Sequence, residues 1–277
     1  MNRLARMLPV AVSLAAALAA LPANAGAVLD RVLATKTLKV AAGVDWPPAS
    51  FMNDKGQLDG YDVDVVKGIA KYLGVQVQFV TPGWDVVAAA KWEGRWDMAL
   101  GQITPTKARA EKLSFPVIYI YGQSVAVVHK DSKANQLSDL DGKTVGVTAN
   151  TTQEAYTNRN LTPDWLGGRP VEFQLKPGKV KTYESTNIAL DDLRLGDGVR
   201  LDAVVAPAPI VGRAIKSGYP IKRLGGVLFS APASFATLHG DKEFDDKIAA
   251  AVKSMKDDGS LSELSLKWYG ADYTVAN

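Results

Sequence analysis

Residues 101–109 read GQITPTKAR, a turn crowded by Gly101, Thr104, Pro105 and Thr106, with Arg109 in the first turn of the helix that should follow. An arginine so placed suits carboxylate binding, because its planar guanidinium offers a two-point fork that lysine cannot copy. The stretch follows WDMAL, an apolar run that reads as a buried strand ending at Leu100. A second turn of this kind, TANTTQEAY, follows the strand reading of residues 144–147. Both turns bring hydroxyls and backbone N–H groups to the start of a helix, an arrangement that suits an anion or a carboxylate. Neither is a glycine-rich phosphate loop of the GxGxxG or GxxxxGK type.

Other chemistries have little to work with. The 277 residues contain no cysteine, which excludes disulfides, thiol catalysis, Cys-ligated metals and a lipid-modified N-terminal Cys. The two histidines, His129 and His239, stand far apart in contexts that read as surface, too few for a His-built metal site or a Ser-His-Asp triad. At the N-terminus, Arg3 and Arg6 precede an apolar stretch over residues 7–21 and an Ala23-Asn24-Ala25 site, the pattern of a signal peptide cleaved before Gly26. Removing it takes two arginines from a formal charge of +3 and leaves +1. No broad basic face is implied, and nucleic acid is not an expected partner.

Short β-rich runs alternate with helical periodicity along the rest. TLKVAAG, VQVQFV and WDMALG read as strands. Between them, YDVDVVKGIAKYLG places Val63, Val66, Ile69, Ala70 and Leu73 on one helical face, with Asp62 and Asp64 near its N-terminus. WDVVAAAKWEG reads as a short helix stopped by Gly94. QSVAVVHK, the β-rich run VEFQL, the helix NIALDDLRL, the strand LDAVVA and a helix over residues 210–216 form a second group. Two closing helices follow, the first setting Phe244, Ile248, Val252 and Met255 on one stripe. Such order predicts mainly parallel sheets with helices on both faces, in two lobes, the tail returning to the first. Ligands in such sheets sit beyond the carboxyl ends of strands, where both turns lie. Trp46, before Pro47-Pro48, and Trp84, after Pro82-Gly83, occupy loop settings, whereas Trp92, Trp96 and Trp268 read as core.

Six segments in order, DWPPASF, GQLDGYDVDVVKGIAKYLG, WDMALGQITPTKARAEKLSFP, LSDLDGKTVGVTANTTQEAY, RLDAVVA and DDGSLSELSLKWYG, make the chain similar to family 3 periplasmic solute-binding proteins. The resemblance covers nearly all of the chain after residue 25. It implies a two-lobe α/β fold with two crossover strands and a ligand held in the cleft, lobe one spanning 27–123 plus 227–277 and lobe two 124–226. It implies a periplasmic monomer without cofactor, which delivers an amino acid or related small carboxylate to the membrane subunits of an ABC permease. Arg109 would bind the carboxylate, helped by Thr104, the backbone of Gly101 and Gln102, and the pair Thr151–Thr152. Trp46 and Trp84 would wall the pocket. Asn150 stands where the family usually has glycine, and asparagine tolerates left-handed backbone.

One position departs from the pattern. Amino-acid binders of the family place an aspartate five residues after the Asp of their G-R-x-D-A element, to receive the α-ammonium; here Asp202 is followed at that distance by Pro207. Either Asp45 or Glu184 substitutes, or the ligand lacks a primary α-ammonium, or the longer LGDGVR segment shifts the correspondence. A betaine-like, cyclic-amidine or N-substituted ligand could meet the tryptophan faces instead. Two other readings remain: a cyclohexadienyl dehydratase-like enzyme, whose acid would fall at Ile210, and a stand-alone periplasmic sensor or accessory binding protein.

Overall fold

A computed structural model describes residues 26–162, 165 and 171–275; the signal-peptide reading lies outside them. From the N-terminal side come α1 (Ala27–Thr35), β1 (Thr37–Ala41), β2 (Asp45–Trp46), β3 (Ser50–Met52), β4 (Leu58–Asp59) and α2 (Tyr61–Leu73). Next are β5 (Gln76–Val80), α3 (Trp84–Ala88), β6 (Met98–Ile103), α4 (Lys107–Ala110) and β7 (Leu113–Ser114). The middle holds β8 (Ile118–His129), β9 (Thr144–Thr148), α5 (Thr152–Thr157), β10 (Lys179–Tyr183) and α6 (Thr186–Leu193). The chain then runs through β11 (Ala203–Pro207), α7 (Ala208–Lys216), β12 (Ile221–Leu238), α8 (Lys242–Asp257) and α9 (Ser260–Tyr269).

These elements build a two-lobe α/β architecture. Among the described residues, nine strands form one sheet in the order β10-β9-β11-β8-β12-β6-β1-β5, with β7 pairing on β12, and β2, β3 and β4 form a small sheet of their own. Pairings within each lobe are parallel (β1 with β5 and β6, β9 with β10 and β11), whereas β8 and β12 are antiparallel to each other, β8 to β11 and β12 to β6. The sheet is therefore mixed rather than mainly parallel. Its two long strands run from one lobe into the other, paired from Ile221 opposite His129 to Ser234 opposite Ile118.

Each lobe buries a core on both sheet faces. In the first, α1, α2, α8 and α9 cover one face through Leu29, Val66, Ile69, Phe244, Ile248 and Leu261. Val87, Trp92, Trp96, Ile103 and Leu113 fill the other. The second lobe packs Tyr156, Trp165 and Leu175 on one side and α6 with α7 on the other. The tail thus returns to the first lobe, and the stripe Phe244, Ile248, Val252, Met255 is the buried face of α8.

Three sequence expectations need correction. The helix opening at Trp84 stops at Ala88 rather than running to Gly94. Beyond it, Trp92 turns fully inward, ring to ring with Trp96 at 5.6 Å, and its Nε1 donates to the Val87 carbonyl at 3.1 Å, so tertiary burial ends the helix early. VEFQL is not a strand. Phe173 and Leu175 pack into the second lobe while Tyr156 OH donates to Glu172 O and accepts from Gln174 N, both at 3.0 Å, in place of ladder bonds; the strand is β10. His129, expected at the surface, is buried at the end of β8 and accepts Asp131 N–H at 3.3 Å; His239 is exposed.

The tail is tied to the start of the described chain by one carboxylate. Asp241, buried, caps α8 through Phe244 N (2.9 Å) and also accepts Val28 N (2.8 Å) and Leu29 N (3.0 Å) at the start of α1. Asp241→Ala should strand three N–H donors at two helix starts and cost about 2–3 kcal/mol. A thermal melt should show this as a fall of about 4–10 °C.

Candidate functional site

The two turns singled out in the sequence face one another between the lobes. Arg109 is the link. Thr106 caps the single turn of α4, accepting Arg109 N at 3.4 Å, so the arginine leaves the backbone one turn after the cap. Its Nη1 donates to Thr104 O (3.0 Å) in its own lobe, and its Nη2 donates to Asn150 O (2.8 Å) in the other. The guanidinium lies 5.6 Å from the centroid of the Trp84 ring. Removal from water lowers its pKa to about 10, and among the described residues no carboxylate pairs with it. This half-buried guanidinium, with carbonyl oxygens and a π face as its partners, has its formal charge uncompensated.

Asn150 has φ 59°, the left-handed conformation that glycine would otherwise supply at this turn. Its N–H donates to Glu154 Oε2 at 2.6 Å, and its carbonyl is the one that meets Arg109. Thr151 caps α5, its hydroxyl donating to Thr148 O at 2.6 Å and accepting Glu154 N at 3.2 Å, so that side chain is committed to the turn itself. Thr152 is buried beside it. With α4 only four residues long and α5 six, backbone N–H groups rather than long helix dipoles are what these turns offer.

Gly101 sits between the two tryptophans: a Cβ there would lie 3.6 Å from Trp46 Cζ3 and 4.0 Å from Trp84 Cζ3, and its φ is 135°. Trp46, carried on β2, packs on the apolar cluster of α6 and α7, across the lobe boundary. Asp45 crosses the same boundary, its carboxylate accepting Asn187 Nδ2 at 2.5 Å. Pro207 ends β11 opposite Ser124, whose Oγ accepts Gln153 Nε2 at 2.8 Å. Glu184 is exposed, on the loop between β10 and α6. Arg109, Thr104, Trp84, Gly101, Trp46 and Asn150 are thus close neighbours at the lobe boundary, with Thr151, Thr152, Asp45 and Pro207 on the elements beside them. Ile210 is 2% exposed in the α7 core.

Gln102 is expected to serve the ligand through its backbone, and its side chain has other partners. Its side chain turns away from the cleft, Nε2 donating to Asp62 Oδ1 (3.2 Å) and Tyr269 OH (2.6 Å), while its N–H donates to Tyr119 OH (3.3 Å). Asp62, read in the sequence as an ordinary first-turn acid, is fully buried. Burial pushes its pKa up to about 7 against the lowering influence of Gln102, Tyr119 and the Gly101 backbone. Only the continuation of the apolar face through Tyr61 could have signalled this.

Local geometry here is open to test at two positions. Asn150→Gly should leave the turn and the Arg109 contact intact, whereas Asn150→Val should cost about 1–2 kcal/mol in urea unfolding because a β-branched residue resists the left-handed region. Asp62 should impose a pH slope on stability. Its folded pKa near 7 exceeds the unfolded value of about 3.9, so the folded chain holds a proton that the unfolded chain has lost. That contribution is complete below about pH 4 and is lost as pH rises through about 7, at no more than about 1.4 kcal/mol per pH unit. Urea titrations of wild type and Asp62→Asn between those limits should therefore diverge, the variant gaining relative stability as pH rises.

The family model of bacterial extracellular solute-binding proteins, family 3, matches residues 38–271. The chain is 29% identical to the L-cystine-binding protein TcyJ of Escherichia coli (strain K12), over 99% of this chain and 98% of that one. It is 27% identical to the arginine-binding extracellular protein ArtP of Bacillus subtilis (strain 168), over 84% of this chain and 86% of that one. A solved structure of an ancestral amino acid-binding protein, AncCDT-1, a precursor of cyclohexadienyl dehydratase, aligns with TM-score 0.75 at 29% identity over 87% of this chain and 99% of that one. The chain belongs to the bacterial extracellular solute-binding proteins of family 3.

Proposed function

We propose that the protein is the extracytoplasmic receptor of an ABC transporter, capturing an amino acid or related small carboxylate between its lobes and delivering it to a membrane permease. The observation that carries this is Arg109: a half-buried guanidinium at the lobe boundary, beside Trp84, without a carboxylate partner among the described residues. A ligand carboxylate supplies the missing charge, and Thr104 with the Gly101 and Asn150–Thr152 backbone borders the place where it would sit. The named binding roles of relatives, L-cystine and arginine, support an amino-acid-like ligand.

Lobes of 27–123 plus 227–277 and of 124–226 place the hinge within β8 and β12. The contacts of Arg109 with Asn150 and of Asp45 with Asn187 are ones that such a hinge would make and break. A cleaved signal peptide would release a periplasmic monomer without lipid anchor or cofactor. The dehydratase reading is the weaker one, since its acid falls on Ile210, an apolar side chain packed in the core.

Pro207 supplies no charge for an α-ammonium. Asp45 and Glu184 are both exposed; Asp45 is the one seen bonded across the lobe boundary, to Asn187, and is the first substitute to test. Native mass spectrometry of protein purified without denaturation, with identification of the released molecule, decides both points. Arg109→Ala should lose the bound carboxylate, a loss of about 3–5 kcal/mol or roughly a hundred- to several-thousand-fold in affinity. Retention of the same molecule by the variant would overturn the reading. A released α-amino acid means that another carboxylate, Asp45 or Glu184, compensates for Pro207, and a carboxylate without free α-ammonium makes Pro207 the determinant of specificity.

A further inference from the structure

Behind the Gly101–Gln102 turn lies an ionisable cluster that carboxylate capture at Arg109 leaves without a role. Successive residues of β6 face opposite sides, so Gly101 meets Trp46 and Trp84 while Gln102 reaches back toward Asp62. Asp62 accepts a hydrogen bond at Oδ1 from Gln102, and its buried Oδ2 has no partner among the described residues. Asp64, two residues on, shows what is withheld: it is paired with Lys267 at 2.7 Å and bonded by Trp268 Nε1 at 3.0 Å. Among the described residues no cation acts on Asp62 in this way.

The groups facing Asp62 come from four elements: Tyr61 of its own helix α2, Gln102 of β6, Tyr119 of β8 and Tyr269 of α9, with Asp272 acting on Tyr61 from beyond α9. Burial holds all three tyrosine hydroxyls above their ordinary range, and the Asp62 charge holds them further up. They stay neutral where Asp62 changes charge. Gln102 is the connection to the cleft. It has φ 48°, an unfavourable conformation for a side chain-bearing residue, and is held there by Tyr119, Tyr269 and Asp62. The Gly101 and Gln102 N–H groups lie on the Asp62 side of the turn and favour its ionised form, while Oδ2 itself stays without a hydrogen bond among the described residues. A carboxylate on the outer side would bring a second negative charge to the same turn, and the two would repel in a medium that screens them poorly.

We propose that Asp62 is a positioning residue for the Gly101–Gln102 turn, and that the presence or absence of its proton is transmitted through Gln102 to the Trp46–Trp84 pair, the neutral form favouring the anion-receptive turn. The proposal takes that turn as the ligand-facing one, and so rests on the function proposed above; its test needs no ligand.

Tryptophan fluorescence of the full chain after signal removal, titrated between about pH 5 and pH 9, reads the turn through the part of the signal lost in Trp46→Phe and Trp84→Phe, which separates it from Trp268 beside the Asp62 cluster. Carboxyl infrared difference spectra over the same range read the proton. Wild type should show one fluorescence inflection near neutrality, matched by loss of a protonated-carboxyl band. Asp62→Asn, which keeps shape and the Gln102 acceptor, should lose both. Gln102→Leu should keep the infrared change and lose nearly all the fluorescence amplitude, which a merely structural Gln102 would not do. The two histidines are present in all three proteins and cancel in the differences. An inflection that persists in Asp62→Asn, one absent from wild type, or one unchanged in Gln102→Leu would overturn the proposal. Should Asp62→Asn fail to fold, as circular dichroism would show, Gln102→Leu decides by the same rule. Failure here leaves ligand loss in Arg109→Ala untouched, and that loss is scored separately by mass spectrometry.

Discussion

The antiparallel pairing of β8 with β12 is the constraint from which the rest of the architecture takes its placement. These two strands, twelve and eighteen residues long, belong to both lobes at once and pair with each other along most of their length. The other strands of the main sheet attach to one side of that ladder or the other: β11, β9 and β10 toward lobe two, β6, β1 and β5 toward lobe one. The functional turns inherit their positions from this. The turn after β6 and the turn after β9 emerge at carboxyl ends of strands that approach the ladder from opposite sides, so Arg109 and Asn150 meet between the lobes. The ladder is also irregular. Register shifts fall at Leu224/Val227, Val227/Phe229 and Ala233/Ser234, and each breaks the regular hydrogen bonding that would stiffen a continuous pair.

That ladder is the part of the fold least legible in the sequence. β12 contains Gly225-Gly226 and Pro232, residues that argue against a long central strand because the glycines lack side chains to pack and the proline lacks an N–H to donate. The bulges absorb them: Gly225 adopts φ 71° beside Leu137, and Pro232 lies opposite Tyr121 between irregularities. Residue periodicity sees only interrupted fragments there. By contrast α8 and α2 are legible, because their apolar stripes at helical spacing face a single core. The fragment VEFQL and the tail of α3 mislead for a common reason. Aromatic side chains, Phe173 in one and Trp92 in the other, are drawn into the interior, and backbone geometry follows their burial rather than local propensity.

Within the candidate site the sequence discloses residue types but not directions. Arg109, the two tryptophans and the two threonine-rich turns can be named from composition and family resemblance, and the structure brings them to one lobe boundary. The division of labour inside a single turn is not readable in this way. Thr151 commits its hydroxyl to Thr148 and Glu154, and Gln102 commits its amide to Asp62 and Tyr269, so both leave the cleft to backbone groups. Such choices depend on partners distant in the chain, Tyr269 being 167 residues from Gln102, and no local pattern encodes them.

The same division bears on what holds the cleft in shape. The outer face of the β6 turn meets Arg109, whose charge calls for an anion; the inner face meets Asp62, which when ionised would be an anion already. Two groups of opposite charge in one lobe could have been brought together as a salt bridge, and such a pair would have satisfied both at the cost of desolvating each. The fold keeps them apart. Arg109 is stacked on Trp84 and held by carbonyls that cannot neutralise it, while Asp62 is walled in by neutral tyrosines and an amide, none of which carries a compensating charge. Pairing them would remove the positive field that a carboxylate would meet at the lobe boundary. Keeping them separate preserves that field and leaves the acid to carry its own proton.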